Sequence, residues 1–190
     1  MSDEIDHYMK QLASKDDTER FNALQKMLEI TEQNVTWFNE YKDTFITMLQ
    51  DENSYHRSIA LMLLCNLARN KKDRIEFKKI LPLLMSLIND EKFITQRQYI
   101  QNIWKAALAD KEYKDLIVNQ LENEFLSYTS KKHYNLLRMD IIGSLGKIAK
   151  EIKDGKLMES VLSLIEREED EKNKKKYKKA AEGETYVFKE

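Results

Sequence analysis

Apolar side chains recur along this chain at helical spacing. They are densest in Ser54–Asn70, SYHRSIALMLLCNLARN, where they follow a basic residue, Arg57. The same arrangement opens at Arg20, Arg97 and Arg138 and, more weakly, at Lys176, so successive copies start 37, 40, 41 and 38 residues apart. Three and four places after each arginine stand Ala23 and Leu24, Ala60 and Leu61, Ile100 and Gln101, and Ile141 and Ile142. Seven places on stand Met27, Leu64, Trp104 and Leu145. Ten and eleven places on stand Ile30 and Thr31, Leu67 and Ala68, Ala107 and Leu108, and Ile148 and Ala149. At about 100° per residue these offsets trace one stripe on an α-helix. Thr31 and Gln101 are its two polar interruptions.

An earlier apolar segment precedes each of the four arginines and Lys176: 5–13, 37–50, 74–89, 113–128 and 156–168. The pattern therefore predicts five antiparallel helix pairs, in units at about 5–32, 37–70, 74–110, 113–151 and 156–182. They form a single domain over 1–182 with a C-terminal tail at 183–190. Asp16 with Glu19, and Thr95 with Gln98, have the spacing of capping boxes, and Ser54 and Ser130 are simple N-cap candidates. Asp154-Gly155 punctuates the chain before the fifth unit, and Pro82 is expected to kink the first helix of the third.

A repeat of two helices at this spacing is the signature of solenoids whose units measure about 40–47 residues, with shorter variants nearer 34. Leu49–Arg69 resembles a HEAT repeat, of the HEAT-like and armadillo-type class: an apolar helix end, an Asp, a short turn, an Arg and an Ala/Leu-rich second helix. Leu87–Leu108, Leu136–Ala149 and Leu12–Ile30 resemble it too. The resemblance implies an all-α, right-handed α-α superhelix whose second helices line a concave face. The fourth unit lacks the turn Asp and the fifth has lysines in place of the Arg, as a diverged capping repeat would.

Composition agrees. Only 4 Gly and 1 Pro in 190 residues argue against a β-rich fold, which spends both in its turns. Lys+Arg (32) and Asp+Glu (33) nearly cancel, which argues against nucleic acid as the main ligand. One cysteine excludes an intrachain disulfide and a Cys-rich zinc site. No apolar run approaches a membrane span, and the acidic start MSDEIDHYMKQ is unlike a signal peptide, so a cytoplasmic address is expected.

Candidate chemistry is sparse. His7, His56 and His133 lack partners at metal-ligand spacing and read as solvated. Cys65 lies on the apolar face and reads as a packed thiol. Gly143 and Gly146 read as sites of close helix approach. No catalytic, cofactor or metal constellation is present, and a non-enzymatic role follows. Asp51 six residues before Arg57, and Asp90 seven before Arg97, outline with Arg138 a structural ladder. The resemblance implies that it staples repeat to repeat, and phosphate binding by the arginines is the other reading. The run Lys172–Lys179 follows the acidic Glu166–Glu171, so Glu168–Lys172, Asp170–Lys174 and Glu171–Lys175 are expected i,i+4 pairs. A solvated capping helix, or a contact for an acidic partner or RNA, are the two readings of that run. Tyr186, Val187 and Phe188 either fray or tuck against the last repeat.

The second helices point to the function expected. Two, five, six and nine places after each arginine, opposite the stripe, the first and fourth units are polar except for Gly143. The second and third carry Ile59, Met62, Leu63 and Asn66, then Tyr99, Asn102, Ile103 and Ala106. An apolar centre with polar flanks suits a groove for a partner protein's helix or extended peptide. The other reading is that these residues are buried by tight curvature or by the tail. The expected role is a protein-interaction scaffold or adaptor. The alternative is a nucleic-acid-binding protein resembling HEAT-like DNA glycosylases, with Trp104, Asp140 and Arg138 as its aromatic, acidic and basic residues.

Overall fold

A computed structural model describes residues 2–128 and 133–183. The expected helix pairs are present, and no strand occurs among the described residues. In order the helices are α1 (Ser2–Leu12), α2 (Asp17–Thr31), α3 (Phe38–Leu49), α4 (Ser54–Leu67), α5 (Arg74–Ser86), α6 (Phe93–Asn102), α7 (Trp104–Ala107), α8 (Lys111–Ser127), α9 (Tyr134–Glu151), α10 (Gly155–Glu166) and α11 (Glu171–Ala181). The second helix of the third unit is interrupted at Ile103, so it appears as α6 followed by the single turn α7. The chain divides into two compact units, 1–99 and 100–190, with the boundary inside α6.

In the first unit α1 packs on α2 and α3 on α4, while α2 also meets α4 and α3 meets α5. Its core is built from Ile5, Leu12, Met27, Phe45, Leu64 and Phe77, each at most 1% exposed. Burying one such side chain contributes about 1.5–3 kcal/mol, so a helix that hides four or five needs little intrinsic propensity. In the second unit α8 packs on α7 and α9, α10 on α9, and α11 on both α9 and α10. Tyr113, Ile117, Leu121 and Phe125, spaced by four on α8, form one fully buried row.

Acidic and amide side chains start the helices. Asp16 Oδ1 accepts Glu19 N at 2.8 Å, but Glu19 does not close the expected box: its carboxylate accepts Gln11 Nε2 at 3.2 Å, and Asp16 N bonds Ser14 Oγ. Asn53, not Ser54, caps α4 through Tyr55 N at 3.0 Å. Asp110, Asp154 and Asp170 cap α8, α10 and α11. Thr95 is no cap either. Helix α6 begins two residues earlier, and Thr95 is buried with its hydroxyl accepting from Ser58 Oγ at 3.1 Å. Pro82 sits on the exposed side of α5 without ending it, so its missing N–H is lost where water can reach. Ser130 and the tail residues Tyr186, Val187 and Phe188 lie outside the described residues.

Candidate functional site

Three of the arginines near the starts of the second helices, Arg20, Arg57 and Arg138, each hold two places at once. Arg57 Nη1 donates to the carbonyls of Asp51 (2.7 Å) and Glu52 (3.0 Å) in its own turn. Its Nε and Nη2 donate to the Asp90 carboxylate at 2.7 and 2.8 Å, one repeat further on. Arg138 repeats the scheme: Nε to Phe125 O at 3.0 Å, and Nη1 to Glu168 at 3.1 Å, with the guanidinium 4.5 Å from the Phe125 ring centre. Arg20 holds Ser14 O at 2.8 Å and Asp17, and lies 4.8 Å over the Tyr55 ring.

The ladder therefore works one repeat further forward than the spacing suggests. Asp90 belongs to Arg57, while Arg97 lies 5.9 Å from the Phe93 ring centre. Asp51 gives Arg57 its carbonyl, and its carboxylate goes to His56 Nδ1 at 2.8 Å and Asn53 N at 2.7 Å. These two hydrogen bonds hold the Asp51 carboxyl below its ordinary range, the one from His56 being the larger cause. His56 is thus a turn-fastening residue rather than a merely solvated one. With these hydrogen bonds made inside the protein, Arg57 and Arg138 are only 8% and 9% exposed.

The expected groove residues divide. Ile59, Leu63, Asn66, Tyr99 and Ile103 are buried, at 4% exposure or less, whereas Met62 and Asn102 are half-buried. The reason is visible at Asn66. Its Nδ2 donates to Thr31 Oγ1 (3.1 Å) and Leu28 O (3.3 Å) on α2, so the edge nine places after the arginine faces the preceding repeat. On α9, Ser144 Oγ likewise donates to Ile100 O, and Asp140 accepts Gln101 Nε2 at 2.9 Å. Offsets of two, six and nine thus mark a packing edge, and the reading that placed these side chains in an open groove is corrected for them.

What remains open on the second helices of the first unit lies elsewhere. Phe21 on α2, Tyr55 on α4 and Ile94 on α6 are 59%, 62% and 64% exposed. Measured from the local arginine, they and Met62 fall within a sector of about 100°. The packing keeps them in file: Arg20 joins Phe21's turn to Tyr55, and the Ser58–Thr95 hydrogen bond joins α4's first turn to Ile94's. The sequence does contain this signal, as exposed apolar residues beside the arginines, but it is visible only once the packing edge is known.

Other candidates are absorbed by packing. Cys65 is fully buried. A Cβ on Gly146 would stand 2.6 Å from Ala181 O, so this glycine permits the close approach of α9 and α11. Among the described residues no three His, Cys, Asp or Glu side chains gather as a metal site, and no helix is long and apolar enough to cross a membrane. A cleft of about 340 Å³ lies among Ile5, Ile30, Val35 and Trp37. Trp104 is half-buried with Lys147 Nζ 5.4 Å from its ring centre. Together with the bonded Asp140 and Arg138, it leaves the glycosylase-like trio occupied in packing.

No protein-family model matches the chain, and no curated protein matches it in sequence. Solved structures do. A crystal structure of an engineered protein is 19% identical over 93% of this chain and 77% of its own, with a TM-score of 0.57. A second engineered protein gives 15% identity, the same coverages and 0.54. Computationally designed armadillo repeat proteins for modular peptide recognition give 18% identity over 92% of this chain and 79% of theirs, with a TM-score of 0.50. The chain has the all-α helical-repeat fold of armadillo-type and HEAT-like solenoids.

Proposed function

We propose that this chain is a non-enzymatic binding scaffold for a segment of another protein, a helix or an extended peptide, taken up along the second helices of residues 1–99. The observation that carries the reading is the set of Phe21, Tyr55 and Ile94, three large apolar side chains more than half exposed within the first five residues of three successive second helices. Singly, an exposed apolar residue means little; three of them in one sector of successive second helices, with the exposed carboxylates of Asp17 and Glu91 nearby in the chain, suit an apolar contact strip with a polar rim. The design of a like fold for peptide recognition is consistent with the reading. Tyr55 is the expected anchor, since Arg20 already fixes its ring and little entropy is lost on contact.

Peptides selected by the chain from a random display library test it. Phe21→Asp and Tyr55→Asp should each weaken the selected peptides by about tenfold or more, as loss of an aromatic anchor does, with helicity and melting unchanged. Selected peptides that bind both variants as tightly as the parent would refute this strip as the contact.

A further inference from the structure

Two charged regions of the surface are occupied from within. The acids before α11 do not form the expected i,i+4 pairs among the described residues: Glu168 goes to Arg138, Asp170 caps the amides of Lys172 and Asn173, and Glu171 takes Lys174 at 3.2 Å. A cleft of about 410 Å³ between α8 and α10 is likewise closed on itself, with Lys114 Nζ 3.5 Å from Asp154 and Ser160 Oγ donating to Glu122.

The cleft of about 340 Å³ in the first unit is different. It lies where the first turn of α1, the end of α2 and the entry to α3 meet, at the far end of α2 from Phe21. Ile5, Val35 and Trp37 are buried and make its floor, with Ile30 half-buried beside them. Glu4, Gln33, Asn34 and Thr36 are exposed and make its rim. None of these four side chains has a hydrogen-bond or ion-pair partner among the described residues, and neither does the Trp37 indole N–H, although Trp37 is only 6% exposed. An indole so placed usually finds an acceptor. Glu4 is the one charged residue in the lining, and no lysine or arginine among the described residues borders it. The volume falls at the small end of the range of about 300–1,000 Å³ that takes organic ligands.

We infer that this cleft binds a small organic ammonium ion, its apolar body against Ile5, Ile30, Val35 and Trp37 and its ammonium on the Glu4 carboxylate. The side-chain oxygens of Gln33, Asn34 and Thr36 are available to accept the remaining N–H groups. Glu4 sets the sign of the ligand, and the helix ends do not reverse it. Helices α1 and α3 bring positive N-terminal ends to the rim, but Asp3 and Glu4 stand in the first turn of one and Glu40 in that of the other. The C-terminal end of α2 adds negative partial charge. A neutral ligand would desolvate the carboxylate without pairing it, and an anion would be repelled by it. The cleft is separate from the strip of Phe21, Tyr55 and Ile94 and stands or falls independently of it.

Titration of the full chain, followed by the indole N–H resonance of Trp37, tests the assignment; the chain has 2 Trp, and Trp104→Phe tells their signals apart. The probes are phenethylamine, its uncharged counterpart phenethyl alcohol, and the anion hydrocinnamate. Phenethylamine should shift the resonance saturably and bind about threefold or more tighter than either of the others, the worth of one exposed charge-assisted contact. Glu4→Gln should bring the amine down to the level of the alcohol and leave the alcohol unchanged. Thr36→Lys, which sets a cation on the rim without altering α1, should weaken the amine in the same way, and circular dichroism should show both variants folded. Alcohol or hydrocinnamate binding as tightly as the amine, an amine preference that survives both substitutions, or no saturable shift with the amine up to about 20 mM would each overturn the inference.

Discussion

Arg57 and Asp90, 33 residues apart, meet through two parallel hydrogen bonds at 2.7 and 2.8 Å, with the arginine side chain 9% exposed and the carboxylate 3%. A paired charge so deeply set is costly to orphan. Arg57→Ala should lower unfolding stability by about 3–5 kcal/mol, because it strands Asp90 and releases the Asp51 and Glu52 carbonyls. Replacing both partners by apolar residues of similar volume should cost less than either single change. Urea unfolding followed by circular dichroism decides; a double variant weaker than both singles would mean that the pair is worth more than its desolvation.

The helical glycines of α9 should respond in opposite directions. A Cβ at Gly146 meets Ala181 O at 2.6 Å and Ala181 Cα at 2.9 Å, backbone atoms that cannot step aside without moving α11. Gly146→Ala should therefore destabilise by about 1–3 kcal/mol, the usual penalty of overpacking. At Gly143 the nearest atom to an added Cβ is 3.8 Å away, so Gly143→Ala should stabilise by about 0.5–1 kcal/mol through helix propensity alone. Paired thermal melts suffice, and the same sign for both would refute the close contact.

Acid should weaken the first unit through Glu76. Hydrogen bonds from Lys42 (2.8 Å) on α3 and Lys79 (2.7 Å) on α5 pull its carboxyl down from 4.5 to about 2. A carboxyl whose folded value lies below its unfolded one contributes stability that is fully present above the unfolded value. That contribution disappears as the pH falls from 4.5 toward 2. The stability difference between the parent and Glu76→Gln should accordingly be largest near neutral pH and shrink across that window. A difference that does not change with pH would show that the two lysines leave the carboxyl unperturbed.

The repeat was legible because the arginines recur with the apolar stripe behind them, and each helix pair follows from local periodicity. What the stripe concealed was its own exceptions. Thr31 and Gln101, the two polar interruptions, are the residues that hydrogen-bond Asn66 and Asp140 on the neighbouring second helices. A single helix's wheel carries no record of that neighbour, so the back edge of α4 looked open when α2 in fact covers it. The turn carboxylates misled for the same reason: Asp90 stands near Arg97 in sequence but serves Arg57 in space.

That distinction between packing edge and open strip has its own consequence at two tyrosines. Tyr99 is fully buried, and Tyr55 is 62% exposed with the Arg20 guanidinium over its ring. Tyr99→Asp places a carboxylate where its aromatic ring was packed, and it should cost about 3–5 kcal/mol, the combined loss of an aromatic core residue and burial of a charge. Tyr55→Asp should move stability by less than about 1 kcal/mol, since only a surface cation–π contact is lost. Denaturant midpoints of the two variants, measured side by side, check it. Equal losses would erase the difference between the core edge and the exposed strip, and with it the case for Tyr55 as a contact residue.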